Sequence, residues 1–292
     1  MPAPSEPIRV ITGPTAVGKT AVGLELADRM GGEIISADSR QIYRELTIGT
    51  AKPSASELTR VPHHFINELS LGEPFSAGLF ARQATQRIKA IRARGRVPIV
   101  VGGATLYLHA LVHGLSPAVP SDASVRARLE ERLASEGSEY LFNELVRVDP
   151  RAAATMDKTK TARVLRALEV YQISGLPLSD FHDREQDPPY SYQVTVLMSE
   201  RKRLYDRINE RVDRMLEAGL LDEVRALAEG QYDPRLPALR TIGYQESLAY
   251  LAGQCSKSRM IELIKRNSRR YAKRQLTWFR RYPEYRWSES GI

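Results

Sequence analysis

Ile8–Ile11 is a short, largely apolar run that ends in Thr12-Gly13. A run of that length bounded by a turn signal predicts a buried strand of a parallel sheet. Beyond Thr20 the period changes. Val22, Leu26 and Met30 recur every four residues, which predicts a helix over 21–30, and Gly31-Gly32 ends it. Glu33–Ser36 reads as a second strand, Phe80–Arg94 as a helix rich in Arg and Ala, and Val97–Val101 as a third strand. "GGATLY" follows it and leads into another helix. Strands and helices in alternation predict an α/β fold with a parallel sheet.

From Pro117 to Pro189 the alternation stops. VRARLEERLASEG, EYLFNELVRV and TARVLRALEVYQISG each carry a helical period, and no strand pattern separates them. Pro117, Pro120 and Asp122 mark the entry, and Asp187-Pro188-Pro189 the exit. Val194–Met198 then reads as a further core strand, and the chain closes in a basic helical segment. The expected organisation is an α/β core over 1–116, a helical insert over 117–189, and completion of the core with a basic C-terminal helix over 190–292.

No Lys, Arg, Asp or Glu falls between Val97 and Ser121, a stretch long enough to imitate a membrane span. It holds Gly102, Gly103, His109, His113, Gly114 and three prolines, so it reads as strand, glycine turn and core-facing helix. MPAPSEPIRV lacks a basic region followed by an apolar stretch, so no signal peptide is expected. With 42% hydrophobic and 27% charged residues, the composition is that of a globular protein. A single cysteine, Cys255, excludes an internal disulfide and a cysteine zinc cluster, and it suits a reducing cytoplasm. A formal charge of +8 favours an acidic partner.

The chemistry starts at "GPTAVGKT", residues 13–20, which fits G-x-x-x-x-G-K-[ST]. Gly13, Pro14, Thr15, Ala16, Val17 and Gly18 would curl the backbone so that its N–H groups converge on a phosphate. Lys19 adds a point charge, and the Thr20 hydroxyl is a candidate Mg²⁺ ligand. An ATPase with this loop needs an Asp at the end of an apolar strand, yet "VPIVVGG" ends in glycines. Asp38, after "EIIS", is the acid that follows a predicted strand end in this half, and it would face the same crevice. A metal ligand or general base fits it. So does a helix cap, because Ser36, Asp38 and Ser39 are all capping types and Gln41 follows. His63-His64 have no carboxylates at metal-site spacing and are read as packing or hydrogen-bonding residues. Arg203, Arg207 and Arg211 share a helix face; they suit either a diphosphate clamp or a solvated face beside Glu200, Asp206 and Glu210.

Residues 257–286 hold eleven Lys/Arg against Glu262 and Glu284, a local charge of +9 that leaves the rest of the chain nearly neutral. Tyr271, Trp278, Phe279, Tyr282 and Tyr285 interleave with that charge. Cations with aromatics suit phosphate contact and base stacking, a solvated basic helix being the plainer alternative, and the aromatics are not confined to one face as a lipid-binding helix requires.

The segments "GPTAVGKT", "SADSRQIYRELTIGTAKP" (36–53), "VPHHFIN" (61–67), "GGATLY" (102–107), "RALEVY" (166–171), "LYDRINERVDRMLEAGLLDEV" (204–224), "IGYQE" (242–246) and "YAKRQLTWFRR" (271–281) together resemble the tRNA dimethylallyltransferase family. They span nearly the whole chain in the family's order. "DSRQIY…IGTAKP" and "AKRQLTWFR" are specific to it, whereas the phosphate loop alone is not.

The resemblance implies a P-loop NTPase-like α/β core with an inserted all-helical domain. It implies transfer of a dimethylallyl group from dimethylallyl diphosphate to the exocyclic amine of the adenosine 3′ of the anticodon, in tRNAs reading codons that begin with U. The loop then holds the diphosphate of a prenyl donor, with Mg²⁺ on Thr20 and with Arg207 and Arg211 as clamps. Asp38 matches the family's base. The RNA-contacting segments map onto Asp38, Ser39, Arg40, Gln41, Ala104, Arg126, Ala162, Arg163, Val164, Leu165, Arg166, Arg240, Thr241, Ile242, Gly243, Tyr244, Gln245, Lys273, Arg274, Gln275, Trp278 and Arg280, and the insert would clasp the anticodon stem. A bacterial-type, cytoplasmic, monomeric enzyme with no membrane attachment is expected.

The chain departs from the family in places. The usual GGTGLY is GGATLY, so Ala104 lacks a hydroxyl; HHLID is HHFIN, with Asn67 for the acid; and fewer basic residues precede Arg163. An adenylate isopentenyltransferase, a small-molecule kinase and a catalytically silent RNA-binding module are the rival readings. The long insert and the charged tail weigh against the first, and intact Lys19, Thr20 and Asp38 against the last.

Overall fold

Strand β1 (Ile8–Thr12) lies in the middle of a sheet, and its side chains are almost wholly buried. The chain is described by a computed structural model over residues 6–115, 119, 121–182, 188–230, 232–233 and 236–289. After β1 the phosphate loop leads into α1 (Lys19–Met30), which ends on Gly31 in the left-handed conformation. β2 (Gly32–Ala37) is buried along its whole length. α2 (Ala55–Arg60) carries a capping box between Ser54 and Glu57. β3 (His63–His64), α3 (Ala77–Ala93), β4 (Val97–Gly102) and α4 (Thr105–Val112) follow. Within the charge-free stretch, residues 97–112 are thus the strand, turn and helix that its glycines predict. Among the described residues no helix is long and apolar enough to cross a membrane.

Five helices come next: α5 (Ala123–Glu136), α6 (Ser138–Val148), α7 (Pro150–Thr155), α8 (Thr161–Ser174) and α9 (Ser179–His182). β5 (Tyr192–Met198), α10 (Arg201–Glu217), α11 (Leu220–Glu229), α12 (Tyr244–Leu251), α13 (Lys257–Phe279) and β6 (Arg286–Glu289) complete the chain. The expected basic helix therefore stops at Phe279, and Arg286 belongs to an exposed edge strand. Arg286-Trp287-Ser288-Glu289 carries no apolar alternation, so periodicity holds no signal for it.

The six strands run in the order β3-β2-β4-β1-β5-β6, and every pair is parallel. A parallel sheet needs helices on both faces. On one face Leu24 and Ala27 of α1, Leu204 and Ile208 of α10 and Ala272 of α13 share a buried cluster with Ile11, Ile34, Ile99 and Leu197. On the other, α3 buries Phe80, Ala84, Ile88 and Ile91 at helical spacing. Phe80 stacks on Tyr107 of α4 at 4.7 Å, and Phe65 packs against Phe80 at 5.0 Å. Full burial of such side chains contributes about 1.5–3 kcal/mol each.

The chain forms two compact units, Met1–Val112 with Pro189–Ile292, and His113–Pro188. The second has its own core: Val125 and Leu129 of α5, Leu141 and Leu145 of α6, and Val164, Leu165 and Leu168 of α8. Buried Asp149 ties it together by accepting from the Ala152 and Ser179 amides, both at 2.9 Å. Of the residues expected to mark its ends, Pro117, Pro120 and Asp187 lie outside the described residues, as do residues 1–5 of the N-terminal segment.

Candidate active site

All six parallel strands point their carboxyl ends the same way, and ligands bind beyond that edge in open α/β sheets. The phosphate loop leaves β1 there, and Asp38 follows β2. Gly13 has φ +144°, and a side chain on it would meet the Leu197 carbonyl at 2.5 Å. Gly18 caps α1 with φ 105° and offers no side-chain acceptor. By contrast α2, α3, α5 and α13 begin on Ser54, Ser76, Asp122 and Ser256, whose side chains take first-turn amides. Among the described residues nothing accepts from the amides of Ala16, Gly18, Lys19 and Thr20. Open amides at a helix N-terminus form an anion cradle.

Lys19 donates to the carbonyls of Gly13 (3.1 Å) and Pro14 (2.8 Å). Burial and, after it, the Arg211 cation push its pKa down to about 8, against the opposing pull of Asp38. Arg211 is likewise lowered, first by burial. It donates to the Thr15 hydroxyl at 3.2 Å and to the Thr50 carbonyl at 3.4 Å. Two cations held close together in a buried crevice are a site prepared for an anion.

Asp38 does not cap a helix. Its Oδ1 accepts from the amides of Arg40 (2.8 Å) and Gln41 (3.2 Å) in a turn. Those bonds fix the carboxylate and leave Oδ2 without a protein donor among the described residues. A cavity of about 350 Å³ opens beside it. Thr15, Asp38, Arg40, Arg211, Arg240 and Arg274 supply charge and polarity to its wall; Ile208, Val212, Met215 and Ile264 supply an apolar side, and Tyr271 an aromatic ring. Asp38 is the sole carboxylate among the described lining residues, against four guanidinium groups.

The other expected residues divide. Ser39, Ala104, Thr241, Ile242 and Gly243 line the same cavity. Arg207 does not: it lies in a separate groove with Arg203, Asp206 and Glu210. One helical turn advances about 5.4 Å, and a four-residue step drifts about 40°, so a shared face does not bring both arginines to one anion. Gln41 donates to the carbonyls of Thr50 and Ala51, bracing the loop that carries Asp38. Tyr244 is fully buried and donates to Glu223 at 2.6 Å, the carboxylate that also takes the amides of the 47–49 loop. Gln275 is buried too, at 2% exposure, with both ends of its amide engaged inside the protein. Val164 and Leu165 place their side chains in the core of the helical unit. Ala162 and Arg163 are exposed on α8. Arg166 and Arg126 lie near buried Glu169, at 3.0 and 3.9 Å. Lys273, Arg274, Gln245 and Arg280 are exposed, and Arg281 lies over the Trp278 ring at 5.0 Å.

Periodicity misses Glu223, whose carboxylate accepts from the amides of Thr47, Ile48 and Gly49 and so shapes the cavity floor. It misses the apolar wall from α10 and α13 as well, since nothing local distinguishes those residues from core positions, whereas Tyr271 is one of the aromatics that the basic tail offers for stacking. Lys52 meets Asn67 at 2.6 Å where the family has an acid. His64 bonds Glu33 at 2.8 Å and His63 the Val61 carbonyl at 2.7 Å, both hydrogen-bonding roles.

Comparison with known proteins adds the family. The sequence model of the IPP transferase family matches residues 41–282. A tRNA dimethylallyltransferase of Salinibacter ruber is 58% identical over 98% of this chain and 89% of its own length. One of Chlorobium chlorochromatii is 48% identical over 98% and 94%. The crystal structure of a tRNA isopentenylpyrophosphate transferase from Bacillus halodurans superimposes with a TM-score of 0.72, at 42% identity over 98% of this chain and 90% of that one. A eukaryotic dimethylallyltransferase acting on tRNA gives 0.82, at 30% identity over 98% and 74%. An open phosphate cradle beside a fixed carboxylate, on this sheet and with these relatives, has one consistent reading: the chain belongs to the IPP transferase family.

Proposed function

We propose that this protein transfers a dimethylallyl group from dimethylallyl diphosphate to the N6 amine of the adenosine 3′ of the anticodon, in tRNAs reading codons that begin with U. The observation that carries this is the cavity beside Asp38: Thr15 of the phosphate loop and Arg211 line it together with Asp38, the single carboxylate among the described lining residues, and with the apolar side chains of Ile208, Val212, Met215 and Ile264.

The open amides of Ala16, Gly18, Lys19 and Thr20, with Lys19 and Arg211, bind the donor diphosphate. Negative charge grows on that group as the allylic C–O bond breaks, and the same donors stabilise it. The Thr20 hydroxyl is exposed at the loop–helix junction and has no protein partner among the described residues, so it fits a Mg²⁺ ligand. Mg²⁺ retains several waters and needs few protein ligands, and when bound it adds charge stabilisation to the diphosphate. Ile208, Val212, Met215 and Ile264 receive the prenyl chain and exclude water from the allylic centre.

The acceptor amine is a weak nucleophile because its lone pair is delocalised into the purine. Oδ2 of Asp38 accepts its N–H, turns the lone pair toward the allylic carbon, and takes the proton as the N–C bond forms. Tyr271, Arg274, Arg240 and Arg40 on the cavity wall suit an extruded base and its phosphates. The helical unit contacts the anticodon stem through the exposed part of α8. The enzyme works as a cytoplasmic monomer.

The test uses purified protein, dimethylallyl diphosphate and Mg²⁺, with unmodified tRNA in one reaction and AMP in another. Mass spectrometry of the nucleosides should show a prenyl mass on tRNA adenosine alone. Product from AMP alone would establish the free-nucleotide rival, and a wild-type protein active on neither acceptor sinks the reading.

A further inference from the structure

Gln275 sits in the last third of α13, two residues from Lys273 and adjacent to Arg274, yet unlike both its side chain is buried. Those cations are exposed, and Gln275 is 2% exposed. Its Oε1 accepts from the Thr15 amide at 2.9 Å, and its Nε2 donates to the Gly103 carbonyl at 2.8 Å. One side-chain amide therefore joins the phosphate loop after β1 to the glycine turn after β4.

The consequences for the loop are specific. The Thr15 amide is the loop N–H committed to a side chain, while those of Ala16, Gly18, Lys19 and Thr20 stay open. Thr15 is also held through its hydroxyl by Arg211, so its residue is fixed from α13 and from α10 at once. Close packing leaves no slack. A Cβ on Gly103 would stand 2.6 Å from Gln275 Nε2 and 3.4 Å from Lys19 Nζ. A buried amide with both ends satisfied specifies one geometry, because any shift leaves a donor or acceptor unpaired in a dry interior.

We propose that Gln275 is a positioning residue of the donor site: through it α13 sets the conformation of the phosphate loop, and with it the aim of the open amides and of Lys19. It touches neither the donor nor RNA. The inference rests on the reading of this loop as the donor site. It also accounts for a glutamine buried inside a segment otherwise rich in exposed cations, where an RNA contact would be solvent-facing.

The test compares Gln275→Leu, which removes both hydrogen bonds at similar volume, with Gln275→Glu, which keeps the acceptor for Thr15 and breaks the donor to Gly103. Inorganic diphosphate with Mg²⁺ is the probe for the loop, measured by calorimetry, and unmodified tRNA is the probe for the RNA surface. Both variants should bind diphosphate roughly tenfold or more weakly than wild type, the size expected from an unpaired buried group, and should raise KM for the donor. Their tRNA Kd should stay within about twofold, since the phosphate-facing cations are untouched. A tRNA Kd that weakens while diphosphate binding holds would make Gln275 an RNA contact and overturn the proposal. Equal weakening of both, with a lowered Tm in both variants, would overturn it as a merely structural residue. The readout is separable from the proposed reaction: wild-type protein that binds diphosphate and fails to prenylate tRNA defeats that reaction, and the diphosphate Kd ratio still judges Gln275.

Discussion

Lys19 carries the first consequence at the scale of a residue. A free lysine titrates near 10.4; here burial and Arg211 bring Lys19 to about 8. The diphosphate favours the charged form and raises that value on binding, so binding takes up a proton wherever the free lysine has lost it. The sign follows: donor affinity is fully present below about pH 8 and falls as pH rises through it. The Kd for inorganic diphosphate should begin to weaken near pH 8 and approach roughly tenfold per unit beyond it, and Lys19→Ala should bind weakly and show no such slope. A wild-type Kd unchanged from pH 7 to 9.5 would refute this. Asp38 acts on the other substrate. Asp38→Ala should lose about 10²–10⁴ in kcat, the usual range for a positioned base, while tRNA Kd moves less than about threefold. Equal losses in turnover and tRNA binding would make Asp38 a binding residue. The phosphate loop and Asp38 are both legible in the amino-acid sequence, because the loop is a local motif and Asp38 closely follows a strand pattern. The capping chemistry of Asp38 is legible there too, and half of it is realised: the Oδ1 bonds to Arg40 and Gln41 are those of a cap, made in a turn with no helix behind it.

At the scale of an element, periodicity says which residues share a face and leaves open what the face meets. On α10, Arg207 and Arg211 share a stripe in sequence, yet Arg211 reaches Thr15 and the cavity while Arg207 lies in a groove with Arg203 and Glu210. The same limit applies to α8 and α13. Their motifs mark whole segments, and the structure sorts each segment by direction: Val164 and Leu165 inward, Ala162 and Arg163 outward; Gln275 inward, Lys273 and Arg274 outward. Tyr244 stands inside "IGYQE" and is wholly buried against Gly49 and Glu223. Motif residues near a site thus include the frame that holds it. For α10 the difference is measurable. Arg211→Ala should weaken diphosphate binding by about 1.5–3 kcal/mol, the worth of a charged hydrogen bond. Arg207→Ala should change it by less than about twofold, and similar losses from both would contradict the placement of Arg207.

For the molecule as a whole, the question is where its charge acts. The net +8 is matched by the +9 held between residues 257 and 286, but the structure does not leave all of that charge for a partner. Arg259 pairs with Glu262 at 2.6 Å and Lys265 with Asp213 at 2.6 Å, while Arg269 donates to Asn209 at 2.6 Å. Lys273 and Arg274 are exposed at the same helix's other end, and Arg274 also borders the cavity. Composition alone could not separate these two sets, because Asp213 and Asn209 come from α10, far away in sequence. They respond differently to salt. Each phosphate neutralised by an exposed cation releases counterions, so a footprint of about six or more contacts should weaken tRNA binding by about 10³ or more between 50 and 200 mM salt. Lys273→Ala and Arg274→Ala should each flatten the slope of log Kd against log salt by roughly one. Arg259→Ala and Lys265→Ala should leave that slope unchanged, since their charges are already spent on carboxylates. Diphosphate binding in the buried loop should respond to salt much less, because interactions away from solvent are screened less. A flat tRNA response, or equal slopes for all four variants, would mean that the charge of α13 serves the fold and not the RNA.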